Sequence, residues 1–399
     1  MKDRIQKKIS DFSQGRAFYV ILFVMLGLLA LASVYAGIKN ALRFSQDFQY
    51  DAAKALSAGI DPYDVSLSGK KSPRIPGLED YYSYYESIGA PQKMEANQFP
   101  SLLYLLLPYT FLSAKAARIC WLVSNLVFTA LIIILLRATF MKDNDRKLFA
   151  IYMLLMAAGL PWRNQLGVGQ HTLFSAAFFL LAVYLSTERE KPGCAALALC
   201  ISYFKYTVTV PLALYFVYRK KWKELALSIP LHIAGTVAAA LILHESFLDM
   251  LIKPLRVASA LSSEGSMDIG ALVGGGTASV AVTALIMIFL FVFALSCPPG
   301  QDCLVISLCI LWGLIMTYHR LYDYFIMIAV FGYFAARRIR YADILCLLTV
   351  CTVFFIPRLF DESRPSIMIT GIIYYAFTVF MSVIAVRTVR SAGTGENDG

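Results

Sequence analysis

Long apolar stretches separated by short charged clusters run the length of this chain, and their spacing predicts helices that cross a membrane. Apolar segments lie near 17–38, 118–136, 172–185, 225–243, 277–296, 303–318, 324–336, 341–356 and 366–386. A helix of about 20 residues matches the hydrocarbon thickness of a bilayer. Lipid offers no partner to exposed backbone, so each segment must satisfy its own amides as a helix. The pattern therefore predicts an all-α polytopic integral membrane protein with about ten full spans. Residues 193–218 are an exception, because they begin and end beside basic loops. As one helix they would measure roughly 39 Å, enough for one crossing and too little for two. Two short helices meeting near Lys205 resolve the conflict, with Pro211 in the second limb. Residues 99–112 are apolar but short and open on Phe99-Pro100, so they read as a re-entrant or interfacial piece.

Composition agrees with the pattern. The 399 residues are 58% hydrophobic, and the mean hydropathy is +0.64, outside the range of soluble domains. The net charge of +10 would suit nucleic acid, but its distribution argues for a membrane. Lys and Arg gather in short loops: Lys2, Arg4, Lys7 and Lys8; Arg137, Lys142, Arg146 and Lys147; Arg219, Lys220, Lys221 and Lys223; Arg337, Arg338 and Arg340; Arg387 and Arg390. Basic loops stay on the cytoplasmic side, which puts both termini inside and makes the first span a signal anchor. On this reading residues 1–390 form one transmembrane domain, 39–98 its first extracytoplasmic loop and 391–399 a disordered cytoplasmic tail. The eight cysteines fall in spans or beside cytoplasmic loops, so neither a disulfide framework nor a zinc site is expected. The expected metal and cofactor set is empty.

Folded this way, polar groups converge at one membrane face. Asp47 and Asp51 come from the first outer loop, with Arg163, Asn164, Gln170 and His171 from the second. His319, Arg320 and Asp323 come from a later loop, and Lys205 points there from the broken pair. An ionisable residue at membrane depth is a functional candidate by default. Plainer readings stand beside each. Asp47 also fits an exposed carboxylate at a helix end. Asp51 lies three residues before Lys54, a spacing that predicts a local ion pair. Asp61-Pro62-Tyr63-Asp64 makes a good turn. Lys205 also fits a side chain snorkelling to water, and His319 an interfacial residue. His232 reads as a satisfied polar group within a span.

These residues resemble glycosyltransferase family 87, whose members use polyprenyl-phosphate-mannose and have the GT-C membrane fold. The likeness starts with Asp47-Phe48, Tyr50, Ala52-Ala53, Ala55-Leu56, Gly59 and Asp61-Pro62-Tyr63. It continues through Phe99-Pro100 with Pro108, Arg163-Asn164 with Gly169-Gln170, Phe204-Lys205-Tyr206-Thr207 with Pro211, and Trp312 with His319. Ser101 stands where the family has a second Pro, and Arg320 where it has a second His. The resemblance implies an inverting, metal-independent transfer from a polyprenyl-phosphate sugar to an extracytoplasmic glycolipid or glycan, in a bacterial plasma membrane. It implies Asp47 as the base. Lys205, Arg163 and His319 would hold the phosphate, with Asn164, Gln170, Tyr50 and Asp61 also lining the substrate site. The runner-up class is a secondary transporter or flippase of lipid-linked sugars. That class should show repeat symmetry and midplane carboxylates, whereas these carboxylates lie in an outer loop.

Overall fold

The computed structural model describes residues 16–68, 75–90, 92–260, 267–274, 276–333, 340–359 and 364–394. Among them every regular element is helical. Six helical stretches are long and apolar enough to cross a membrane: Tyr19–Arg43, Ala114–Ala138, Pro192–Tyr218, Trp222–Leu243, Gly276–Ser296 and Pro365–Gly393. A seventh candidate is the pair Leu160–Val168 and Thr172–Thr187, bent by 108° at its break. Length and composition thus support fewer spans than the roughly ten expected from the pattern. Asp302–Met316, Leu321–Tyr333 and Cys346–Pro357 are apolar but shorter. Apolar side chains such as Val24, Leu28, Leu31 and Tyr35 on the first long helix lie exposed. Without lipid around them they would form a large apolar patch on a soluble protein.

Contacts fix which loops share an end. At one end Lys142 pairs with Glu188 at 3.4 Å, Arg219 with Asp302 at 3.1 Å, and Ser186 donates to Glu224 at 2.8 Å. Residues on both sides of 192–218 therefore lie together. Lys205 itself, at φ −114° and ψ 74°, leaves the helical region. Pro192–Ser202 and Tyr206–Tyr218 are two limbs that rise from this end and meet at Lys205. Length alone would have counted them as one crossing.

The opposite end carries a second apolar cluster, built from the loop after the first long helix. Short helices Tyr50–Ser57, Pro62–Leu67 and Glu79–Ser87 pack there with Leu102, Leu103, Trp121 and Phe204. Phe99–Leu112 folds as short helical turns too small to cross a bilayer. Helix Pro230–Leu243 lies so close to this segment that a Cβ on Gly235 would come within 2.4 Å of Ser101 Cβ. Ser101 Oγ bonds His232 Nδ1 at 2.9 Å, and His232 Nε2 meets the Cys200 carbonyl at 3.0 Å. The serine that replaces the family's second proline is thus paired with the span histidine. No disulfide joins cysteines among the described residues. The final helix runs to Thr394, past the point where the polar tail was expected to begin. The basic cluster Lys2 to Lys8 lies outside the described residues.

Candidate active site

Asp47 sits in the loop between helices Arg16–Arg43 and Tyr50–Ser57. Two non-glycine residues in the left-handed region flank it, Ser45 at φ 39° and Gln49 at φ 51°. Such residues persist only where surrounding contacts hold them. The Asp47 amide donates to the Val168 carbonyl at 2.9 Å, and the His171 ring meets the Phe48 carbonyl at 3.2 Å. Phe48 stacks on Trp121 at 4.9 Å, and the Trp121 indole donates to the Gly169 carbonyl at 2.7 Å. Gly169 ends helix Leu160–Val168 at φ 71° with Ser45 against it; a Cβ there would lie 3.2 Å from Ser45 Cβ. A residue free of the left-handed penalty is needed at that turn. The turn presents Gln170 to Asp47.

Gln170 Nε2 donates to Asp47 Oδ2 at 3.2 Å and to the Tyr322 hydroxyl at 3.0 Å. Lys205 Nζ lies 5.2 Å above the centre of the Tyr322 ring. Lys205 Nζ also donates to Asp323 Oδ1 at 2.9 Å, and His319 Nδ1 bonds Asp323 Oδ2 at 2.8 Å. Thr172 Oγ1 donates to Asp323 Oδ1 as well. Asp47, Gln170, Tyr322, Lys205, Asp323 and His319 therefore form one connected array at one end of the bundle. Burial raises the Asp47 pKa above the ordinary carboxylate value, with nearby Lys205 opposing the shift.

A family model for glycosyltransferase family 87 matches residues 100–384. The chain belongs to glycosyltransferase family 87. No curated protein and no solved structure matches it. Family membership indicates a membrane glycosyltransferase. The matched region contains Arg163, Gln170, Lys205 and His319 and starts after the Asp47 segment.

Within this family 87 chain, the array brings together Asp47, Gln170, Lys205 and His319 of the residues singled out from sequence. Others stand apart. Asp61 caps helix Pro62–Leu67 by accepting from the Tyr63 and Asp64 amides, and it pairs with Lys253 at 2.6 Å. Lys253 also reaches Asp64 at 3.0 Å and Glu245 at 3.3 Å, so its ammonium sits where those carboxylates would otherwise gather a metal ion. Burial opposes the Lys253 charge, but the carboxylates outweigh it and raise its pKa. Tyr50 is buried, and its hydroxyl donates to the Leu112 carbonyl at 2.9 Å. It packs the loop core rather than facing the array. Arg163 donates to its neighbour Asn164 Oδ1 at 3.1 and 3.2 Å, and neither lines the recess beside Asp47.

That recess is lined by Gln46, Asp47, Gln49, Asp51, Gln92, Glu95, Asn97, Gln170, Tyr318, Arg320 and Tyr322. The ion pair expected between Asp51 and Lys54 is absent among the described residues. Lys54 Nζ instead donates to the Gly77 carbonyl at 2.9 Å. Asp51 is 2% exposed, accepts from the Ala52 amide at 2.9 Å, and receives a long 3.4 Å bond from Tyr82. Burial pushes its pKa up to about 6. Tyr322, Thr172, Gln49, Glu95 and Asn97 escaped the sequence reading. The cluster of amides around Asp47 was a signal that could have pointed to Gln49; nothing local marked Tyr322.

Proposed function

We propose that the chain is an inverting glycosyltransferase moving a sugar from a polyprenyl-phosphate donor to a lipid-linked or glycan acceptor outside a bacterial plasma membrane. The observation that carries this reading is the separation of roles along the array. A partly exposed carboxylate, Asp47, bonds Gln170, and Gln170 leads through Tyr322 to Lys205, which shares Asp323 with His319. An inverting displacement needs one base to take the acceptor hydroxyl's proton while the anomeric C–O bond to the phosphate breaks. Asp47 suits that task, because its raised pKa makes it a stronger base than an ordinary carboxylate. The leaving lipid phosphate gathers negative charge as that bond breaks. In this reading Lys205 and His319 receive it, with Arg320 lining the recess nearby. Lys205 shares its charge with Asp323, Arg320 adds a second cation at the recess, and the reading is metal-independent.

The lipid tail also has a suitable surface. A largely apolar groove of about 550 Å³ runs between helices Gly276–Ser296, Asp302–Met316 and Arg364–Thr394. Its lining runs from Val282 to Arg387 and Arg390, and Thr283, next to Val282, bonds the Met316 carbonyl at 2.7 Å, three residues before His319. The deciding experiment reconstitutes the protein with a panel of polyprenyl-phosphate sugars and a glycolipid acceptor. Transfer with inverted anomeric configuration, undiminished by a chelator, is expected. Movement of intact donor across the bilayer with no bond broken would favour a flippase instead.

A further inference from the structure

We infer that the wall of the recess formed by Gln49, Asp51 and Glu95 is the acceptor subsite, built for an uncharged hydroxyl-bearing sugar edge and against phosphate-bearing acceptors. The inference rests on the transferase reading above for its role, and on hydrogen-bonding capacity for its specificity.

The donors of the wall are already used. Gln49 Nε2 donates to the Glu95 carbonyl at 2.9 Å and to Asn97 Oδ1 at 2.6 Å. Gln92 Nε2 donates to the Gln46 carbonyl at 2.9 Å. Within Gln49, Asp51 and Glu95 themselves, the capacity left over belongs to acceptors. Gln49 is 8% exposed, yet its Oε1 is buried with no partner among the described residues. A buried carbonyl left unbonded costs about 1–3 kcal/mol, so its retention calls for a ligand that donates. Asp51 Oδ2 accepts a long 3.4 Å bond from the Tyr82 hydroxyl. The Glu95 side chain is exposed beside them. Gln49 also holds a left-handed backbone at φ 51°, and that conformation keeps its side chain in the wall.

Charge points the same way. The recess carries Asp47, Asp51 and Glu95 against the single cation Arg320 among its lining residues. Arg320 Nε donates to the Tyr318 hydroxyl at 2.7 Å. Against the wall of Gln49, Asp51 and Glu95, a phosphate or carboxylate on the acceptor would meet like charge and acceptors facing acceptors. Sugar hydroxyls would satisfy Gln49, Asp51 and Glu95 together. The recess offers about 50 Å³ of water-accessible space, room for several hydroxyl-sized groups. The acceptor presents a hydroxyl-bearing edge to this wall, with its reacting hydroxyl at Asp47.

Binding tests this without requiring turnover. Saturation-transfer NMR on the full chain in nanodiscs would compare octyl mannoside, glucoside and galactoside with their 6-phosphates. At least one neutral glycoside should bind, and its 6-phosphate should bind at least about tenfold more weakly, the scale of one charged hydrogen bond. Asp51→Asn and Glu95→Gln should each weaken the neutral glycoside, and Glu95→Lys should narrow the gap to the phosphate. Lys142→Gln, at the opposite end, serves as the control. Equal or tighter binding of the 6-phosphate overturns the inference, as does unchanged binding in both carboxylate variants or no neutral glycoside bound. The transferase reading fails separately. If Asp47→Asn binds glycoside and still transfers sugar normally, the subsite stands and the base assignment falls.

Discussion

Asp323 holds Lys205 on one carboxylate oxygen at 2.9 Å and His319 on the other at 2.8 Å. The carboxylate and the lysine come from chain positions 118 residues apart, and both are buried. Breaking a buried pair leaves an unpaired charge and costs about 3–5 kcal/mol. Asp323→Ala should lower thermal stability by that order, and Lys205→Met should do likewise. The double variant should lose much less than the sum, because each single change strands the other's partner. Additive losses in detergent-solubilised protein would mean that the pair is not coupled.

Asp47→Asn keeps the side-chain shape and removes its basicity. Transfer should fall by at least about 10²-fold, the low end of a general base's contribution. Folding should be intact, since Gln170 can still bond the Asn carbonyl. Because burial raises the Asp47 pKa, the acid limb of wild-type turnover should lie above the ordinary carboxylate range. Near-normal turnover in Asp47→Asn excludes it from the chemistry.

Asp51 makes stability depend on pH. Its folded pKa, raised to about 6, exceeds its unfolded value near 3.8. The folded state therefore prefers the protonated acid. That preference is fully present below the unfolded value and is lost as pH rises through about 6. Asp51→Asn cannot ionise, so its stability relative to wild type should climb between those values and then level off. The climb should reach a few kcal/mol at most, since each tenfold change in proton affinity is worth about 1.4 kcal/mol. A difference that stays flat with pH would show that Asp51 is not the titrating group.

Gly169→Ala tests how the turn places Asp47. The alanine would carry a left-handed backbone, about 1–2 kcal/mol, and would press its Cβ to 3.2 Å from Ser45 Cβ. Stability should fall modestly, and turnover should fall further because Ser45 leads directly into Asp47. Gly59→Ala is the control. It is also at positive φ, 72°, but no atom lies within 4 Å of its added Cβ. Equal losses of turnover in both variants would remove the positioning role.

Sidedness is open to direct labelling. Exposed positions 58 and 80 lie at the array's end, and exposed positions 143 and 220 at the other. In a background lacking native cysteines, Ala58→Cys and Asp80→Cys should react with an impermeant thiol reagent in intact cells. Asp143→Cys and Lys220→Cys should stay protected, because their loops carry the basic clusters. The reverse pattern would move the array to the cytoplasmic face and exclude an extracytoplasmic acceptor.

The sequence by itself determined the helical membrane class, because lipid leaves backbone amides no other partner. It also singled out Lys205, whose placement between two basic loops makes a break there the simplest path, and Asp47, a carboxylate just past the first span. The remaining assignments depended on which faces pack together. Asp51 and Lys54 have helical pairing distance, yet tertiary packing turned Asp51 into the recess and sent Lys54 to Gly77. Asp61 matched a family motif, but Lys253, far along the chain, drew it into a structural ion pair. Tyr322, Asp323 and Thr172 gained their roles only when the late loop came to rest against the turn at Gly169. Local spacing reports what a residue can reach within its own helix. Burial and long-range partners decide which of those options survives in the fold.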